Sequence, residues 1–501
     1  MPTPRPIPPA EVRRRLPPRA QAAWLWAALR DRIPQLPASP RPVTRSRRLA
    51  DLVRALRKAG LREHDPRVAA LIASDPEGPE PEAAAAVRLL AALVAEDEAR
   101  SEKWLRQAHA ELRRAAPRLE PHPRDHTFLH GLHALALGGL LFDDPGALAW
   151  RKSALPRYWD ELQHQVLEDG TLRERCPALL GAVLRDALAA HALWRAAGFV
   201  APNEVHRRLR RMARAFGRLA RPGLGTHRFG DTAPLDGAAT GAILELARTG
   251  LGEDVVPPAG PWALPAGGFY GFTSPGGGVR LAVTTGRMVL ADLPAGEHAD
   301  GLSYELDLGG RPLVMDPGSA GGTAVGPALR GWARGTWAHN AVAVDGADQM
   351  PILPGGWTGE TAEVTDVDAR PTEGAFELSA SVHHVGGPVH RRRLSCGDDG
   401  LDVVDRVEGA NGRRVATLVH FAPEVRLQAV ARSLEARLGH LVLELTPIGA
   451  TRLDVVIAER RRPCQGWVLD PARGAVPAPV VIIEQPEYDG REIGYTLRWK
   501  V

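Results

Sequence analysis

From about Ala20 to Gly250, apolar residues recur three or four positions apart among Ala, Leu and Arg, the spacing of a stripe along one helix face. Leu105, Ala108 and Leu112 form one stripe and predict a helix from Glu102 to Ala116, and Ala84 to Ala95 predicts another. Further helices are predicted over Gly131 to Phe142, Ala178 to Ala197, Asn203 to Ala220 and Asp236 to Thr249, with Pro- and Gly-rich breaks such as Pro76 to Glu82 and Pro117 to Pro123 between them. From Gly252 to Gly268 the chain turns to Pro, Gly and Trp, and beyond this boundary the period drops to two. Val279, Leu281 and Val283 alternate with Arg280, Ala282 and Thr284, and Leu441, Leu443 and Leu445 with Val442 and Glu444. Strand-like runs follow at Leu401 to Val407, Val415 to Phe421, Leu453 to Ile457 and Val480 to Glu484. Short strands joined by Gly or Asp-Gly turns, with no long helix between them, predict an antiparallel β-sandwich rather than a parallel α/β sheet. The expected layout is a flexible Pro-rich segment over 1–19, an α-helical domain over 20–255 and an antiparallel β-sandwich over 256–501.

A chain of 501 residues is too long for one ordinary core, in keeping with that division. With 44% hydrophobic and 24% charged residues, it falls among globular proteins. The net charge of +4 is small for this length, so no nucleic-acid partner is expected. The Arg-rich stretch Arg207 to Arg214 reads first as a solvated helix face, and second as a contact for an acidic sugar polymer. Cys176, Cys396 and Cys464 are widely spaced and odd in number, which predicts buried thiols rather than a disulfide framework. No apolar run reaches the roughly 18 residues of a membrane span. Met1 to Ala10 is Pro-rich and lacks the apolar core of a signal peptide, so the sequence alone points to the cytoplasm. Nothing in the pattern fixes an oligomeric state.

Function-capable residues are densest between Gly296 and Gln349. His298, Asp316 and His339 each fall beside turn residues at the edge of a predicted strand. Two imidazoles and a carboxylate make a sensible zinc shell, and polar caps on strand ends are the competing reading. Trp332, Trp337 and Trp357 lie close in sequence, where they either stack on sugar faces or pack in a core.

The residues of this segment follow one another as His298-Ala299-Asp300, Leu302-Ser303, Asp316-Pro317-Gly318, Arg334-Gly335-Thr336, Ala338-His339-Asn340, Val344-Asp345-Gly346 and Asp348-Gln349. That ordered series resembles the signature block of the heparinase II/III-like polysaccharide lyases. In the helical half, Asp125-His126, Glu168-Asp169-Gly170, Glu174-Arg175-Cys176-Pro177 and Phe229-Gly230-Asp231 resemble further family motifs, as does His390-Arg391-Arg392 in the sandwich. The resemblance covers roughly 123–501. It implies an (α/α) toroid-like domain before the sandwich, and a structural zinc ion held by His298, Asp316 and His339. It also implies Arg334 at the cleft, an acidic polysaccharide or oligosaccharide as partner, and a cell-envelope or periplasmic setting, while Tyr304, on the alternating apolar face, reads as core.

These lyases cleave uronic-acid polymers by β-elimination. One group neutralises the uronate carboxylate, a base removes the C5 proton, and an acid protonates the departing C4 oxygen. The family's catalytic tyrosine falls on Leu179, its first histidine on Gly296 and its Asn on Asp125, and Ser319 to Val325 offers no tyrosine. One expectation is therefore a lyase relative with reduced or absent catalysis. Another is an active site built from a rearranged set, with His126 or His130 as base, Asp125 or Glu297 as its partner and Arg334 on the substrate carboxylate. In that site Glu297, His130, Trp332 and Trp337 would bind substrate. A third is a carbohydrate-binding protein without turnover. For His126, His130 and His133 the plain alternative is a polar helix face packed against a neighbour.

Overall fold

The computed structural model describes residues 98–119, 125–196, 200–231, 233–252, 255–286, 298–319, 321, 325–353, 357–358, 360–372, 374–460 and 464–499. The segment 1–19, the helix expected at Ala84 to Ala95, and Gly296 and Glu297 lie outside the described residues, as does part of the expected toroid.

A helical region precedes a region of antiparallel sheets. The helices are α1 (Glu98–Leu119), α2 (His126–Leu141), α3 (Pro145–Gln165), α4 (Pro177–Ala196), α5 (Asn203–Leu219) and α6 (Gly237–Leu251). Helix α2 is buried from Thr127 to Leu141 and packs against α1, α3 and α4, so its apolar residues occur all round rather than in a stripe. In α5, Val205, Leu209, Met212 and Phe216 turn inward while the arginines turn out, as the stripe predicts. Of that face, Arg207 pairs with Glu204, and Arg208 donates to the Val166 carbonyl at 2.8 Å. The weak periodicity around Trp150 and Tyr158 hides α3, but its start is written in the sequence. Asp144 accepts from the Gly146 and Ala147 amides, and Pro145 occupies the first turn. No helix among the described residues is long and apolar enough to cross a membrane.

The first sheet is a five-stranded meander: Gly260–Leu264, Phe269–Thr273, Val279–Thr284, Tyr304–Leu308 and Arg311–Val314. An eight-stranded sheet runs, in spatial order, Glu363–Thr372, Ala375–His383, Val389–Cys396, Gly400–Glu408, Ile493–Trp499, Leu441–Ile448, Ser433–Leu438, Arg426–Val430. A four-stranded sheet joins Arg452–Ile457, Pro479–Gln485, Val415–His420 and Val342–Val344. Leu441–Ile448 buries alternate residues, as its sequence pattern requires. Val415–His420 and Pro479–Gln485 are buried throughout because this sheet is covered on both faces. Val419, Val481 and Ile483 enter the main sandwich core, whereas Leu418, Val480 and Ile482 pack with Trp332 and Trp337 on the other side.

Buried ion pairs join the two regions. Arg221, just after α5, grips Asp307 of the meander through two hydrogen bonds at 2.9 and 2.6 Å. The His227 Nδ1 sits 2.7 Å from Glu305, and the Arg228 amide donates to the same carboxylate. Asp169, in the turn after α3, accepts from the Gly267 amide at 2.9 Å.

Candidate functional site

The sandwich side of the site is a set of loops tied together by the signature residues themselves. The Thr336 hydroxyl donates to the Ala299 carbonyl at 3.1 Å and accepts from the Gln349 amide at 2.8 Å. Gln349 in turn clasps the Gly301 backbone through both ends of its side-chain amide, at 2.9 and 3.1 Å. Asp348 accepts from the Thr336 amide at 2.7 Å. Asn340 donates to the Tyr304 and Met315 carbonyls and accepts from the His420 amide. Beneath them Arg392 donates to the Leu302 and Asn340 carbonyls at 2.8 and 2.5 Å and makes a two-pronged pair with Asp405. Much of the motif thus serves to hold His298 and His339 in place.

His298, Asp316 and His339 converge and are 3%, 1% and 0% exposed. The His298 and His339 ring centroids are 5.2 Å apart, and the His339 Nδ1 is 2.7 Å from Asp316 Oδ2. Asp316 Oδ1 accepts from the Gly318 amide at 3.0 Å. Gly318 is at φ 81°, and a Cβ there would meet the Arg228 guanidinium at 2.5 Å, so the turn and the close approach both demand glycine. Burial would raise the Asp316 pKa, but His339 beside it holds the carboxyl below its usual value; burial likewise works against charge on His339, which Asp316 raises instead. Asp300, next to His298, is pushed up by burial.

These side chains fit a zinc ion in part. The His298 Nδ1 and His339 Nε2 atoms are buried and make no hydrogen bond; on an imidazole that is neutral with its proton on the other nitrogen, such an atom carries a lone pair that suits a cation. The third expected donor, Asp316, turns to His339 instead. Among the described residues no three His, Cys, Asp or Glu side chains form a ready metal-binding group.

Arg334 lies at the edge of this cluster, where its guanidinium pairs with Asp231 from the helical side. On that side, α2 opens with Asp125 as its N-cap, the carboxylate accepting from the Phe128 amide at 3.0 Å. This is a helix-capping role. His126, the first helical residue, is clamped by Glu174, whose two oxygens meet the His126 amide at 2.7 Å and its Nδ1 at 2.5 Å. The two side chains are 22% and 18% exposed. Two residues on, Cys176 packs against Gly230 so closely that a Cβ on this glycine, at φ 84°, would lie 2.9 Å from the Cys176 Cβ. The Glu174 loop and the Asp231 loop are therefore in contact, which links the His126 pair to Arg334.

Other expected site residues lie in cores. His130 is 5% exposed with its Nδ1 2.8 Å from Asp186, and His133 is fully buried beside the same carboxylate. Arg185 pairs with Asp186 as well. These are the packed helix-face positions, which corrects the expectation that His130 meets substrate. Trp332 and Trp337, at 8% and 6% exposure, fill the second sandwich core and offer no stacking face to a sugar. Leu179 is also buried, and Tyr304 is in the core as expected. Glu174 and Asp231 lie in the Glu174-Arg175-Cys176-Pro177 and Phe229-Gly230-Asp231 motifs, where the sequence assigns them no role of their own. An acid inside a motif was the available signal, and only the fold reveals its partner.

The residues 256–488 match the family model of the heparinase II/III-like C-terminal domain. No curated protein matches by sequence. Among solved structures, a heparinase III gene product superposes with a TM-score of 0.63 at 17% identity, covering 96% of this chain and 75% of its own. A second heparinase III gives 0.64 at 13% identity, with 83% and 69% covered. The heparan sulfate lyase HepC from Pedobacter heparinus gives 0.58 at 17% identity, with 83% and 68% covered. At these identities the likeness is one of fold, which here runs through the helices and into the sheets. The sheet region thus carries a heparinase II/III-like C-terminal domain, and the chain as a whole shares the fold of the heparinase III structures.

Proposed function

We propose that the protein acts on an acidic, uronic-acid-containing polysaccharide by β-elimination, with His126 as the proton-transfer residue and Glu174 as its orienting partner. The observation that carries this reading is the 2.5 Å contact between the His126 Nδ1 and Glu174 at a partly exposed position. An imidazole titrates near neutrality, and a carboxylate on one nitrogen fixes its tautomer and orientation for proton transfer. Removing the C5 proton requires the uronate carboxylate to be neutralised, and Arg334 is the cation this reading assigns to it. The loops joining Glu174 to Asp231 support placing both groups along one cleft. His298 and His339 would hold a zinc ion through their bare nitrogens, with Asp316 completing the set or bracing His339. The ion would supply positive charge that rigidifies the loops beside Arg334.

A second reading, sugar binding without cleavage, is favoured by one specific observation: Leu179 is buried and aliphatic where the family carries its tyrosine. Incubation with alginate, heparan-type and other uronic-acid polymers separates the two, with the ultraviolet absorbance of the unsaturated product followed alongside direct binding. Product formation supports elimination. Binding with no product from any polymer supports the second reading.

A further inference from the structure

Asp231 comes from the helical region, in the loop after α5, yet all the partners resolved for its carboxylate belong to the sandwich. Its Oδ1 accepts from the Ser319 hydroxyl at 2.6 Å and lies 3.3 Å from the His298 Nε2, while Oδ2 takes the Arg334 guanidinium. The side chain is 20% exposed. Both oxygens thus receive hydrogen bonds, one from a hydroxyl and one from a guanidinium, as the oxygens of a carboxylate do. An ionised carboxylate is acceptor-only, so the His298 nitrogen facing it must carry the proton. A neutral His298 is then protonated on Nε2 and bare on Nδ1, the atom left buried without a hydrogen bond.

The neighbouring histidine repeats the arrangement with its nitrogens exchanged. Asp316 accepts from the His339 Nδ1, and the His339 Nε2 is the bare atom. Two carboxylates, one from each region, thus each fix an imidazole so that one lone pair is left for a cation, the pattern in which an outer carboxylate orients a metal-binding histidine.

We infer that Asp231 is a positioning residue that reaches from the helical region to set the tautomer of His298 and to anchor Arg334, so that the cation site of the sandwich is completed only when the two regions are docked. The metal part of this inference rests on the zinc reading above; the tautomer part does not. Asp231 also partly neutralises Arg334, which limits how much positive charge the arginine presents to a sugar carboxylate.

The test uses the full chain with its histidines labelled with nitrogen-15, and long-range proton–nitrogen spectra recorded on metal-free protein. The His298 signal is identified by its loss in His298→Gln. The expected result is a His298 protonated on Nε2 in the unaltered protein and a mixture of tautomers in Asp231→Ala. Asp231→Asn, which keeps an acceptor oxygen but not the charge, should fall between them. Zinc titrations of the same proteins should show affinity about 10–100-fold weaker in Asp231→Ala. A His298 protonated on Nδ1 in the unaltered protein, or a tautomer indifferent to both substitutions, overturns the inference. A tautomer that shifts in a protein that binds no zinc supports the positioning role and defeats the metal reading alone.

Discussion

Arg392 and Asp405 make the sharpest prediction about how the sandwich supports its loops. Both side chains are wholly buried, and Asp405 receives the Arg392 Nε at 2.7 Å, its Nη2 at 2.9 Å, the Thr417 hydroxyl at 3.0 Å and the His390 Nε2 at 2.8 Å. Arg392→Ala leaves this carboxylate in the core with its charge uncompensated and frees the Leu302 and Asn340 carbonyls from their donor. Removing one partner of a buried pair costs about 3–5 kcal/mol, a large share of the roughly 5–15 kcal/mol that holds a typical domain together. Replacing both, as in Arg392→Met with Asp405→Leu, leaves no orphaned charge and should cost less than Arg392→Ala alone. Urea unfolding followed by tryptophan fluorescence measures the differences. Burial pushes the Asp405 pKa up, but Arg392 and His390 outweigh it and hold the carboxyl far below its usual range. Its contribution is therefore complete above the unfolded pKa of about 3.9 and lost as pH falls below that. In Arg392→Ala the acid transition should move to higher pH. A loss under about 1 kcal/mol for Arg392→Ala, or a double variant as damaged as the sum of its singles, would refute the reasoning.

Elemental analysis should find about one zinc or similar ion per chain, falling to none in the His298→Ala, His339→Ala double variant; a metal-free protein whose stability is unmoved by chelators contradicts this. Asp125→Ala should cost about 1 kcal/mol of stability through the lost cap of α2, with product formation per folded molecule little changed if capping is its main role. The His384 pKa is lowered to about 3 by burial and by His390 and Arg413. A group that resists protonation in the fold but accepts it when unfolded makes stability fall as pH drops from about 6.5 towards that value, by up to about 1.4 kcal/mol per pH unit. His384→Gln should flatten the slope of unfolding midpoint against pH across that window, and an unchanged slope would count against it.

Period and turn residues made helices α1, α2, α4, α5 and α6 largely legible, and the strands at 279–284 and 441–448 nearly so. Helix α3 escaped because a helix placed between others need not show a clean stripe, although its Asp144-Pro145 start was in view. Helix α2 was placed five residues late for a related reason. Its first five residues include His126 and His130, polar residues whose partners Glu174 and Asp186 lie 48 and 56 positions away. The convergence of His298, Asp316 and His339 came from the resemblance, since spacings of that length carry no geometry of their own. The indoles of Trp332 and Trp337 misled as sugar platforms because a sequence does not show that the Val415–His420 sheet is covered on both faces. Asp231 could be seen as an acid in a motif, but its reach across the two regions is a property of the fold.

The proposed elimination depends on proton transfer by His126. Rates of unsaturated-product formation should be compared for the unaltered protein, His126→Ala and Glu174→Gln on the uronic-acid polymer that binds best. The prediction is measurable elimination that drops by about 10²–10⁴-fold in His126→Ala and by less in Glu174→Gln. Elimination that proceeds undiminished without the imidazole, or is absent from every polymer the unaltered protein binds, would contradict it.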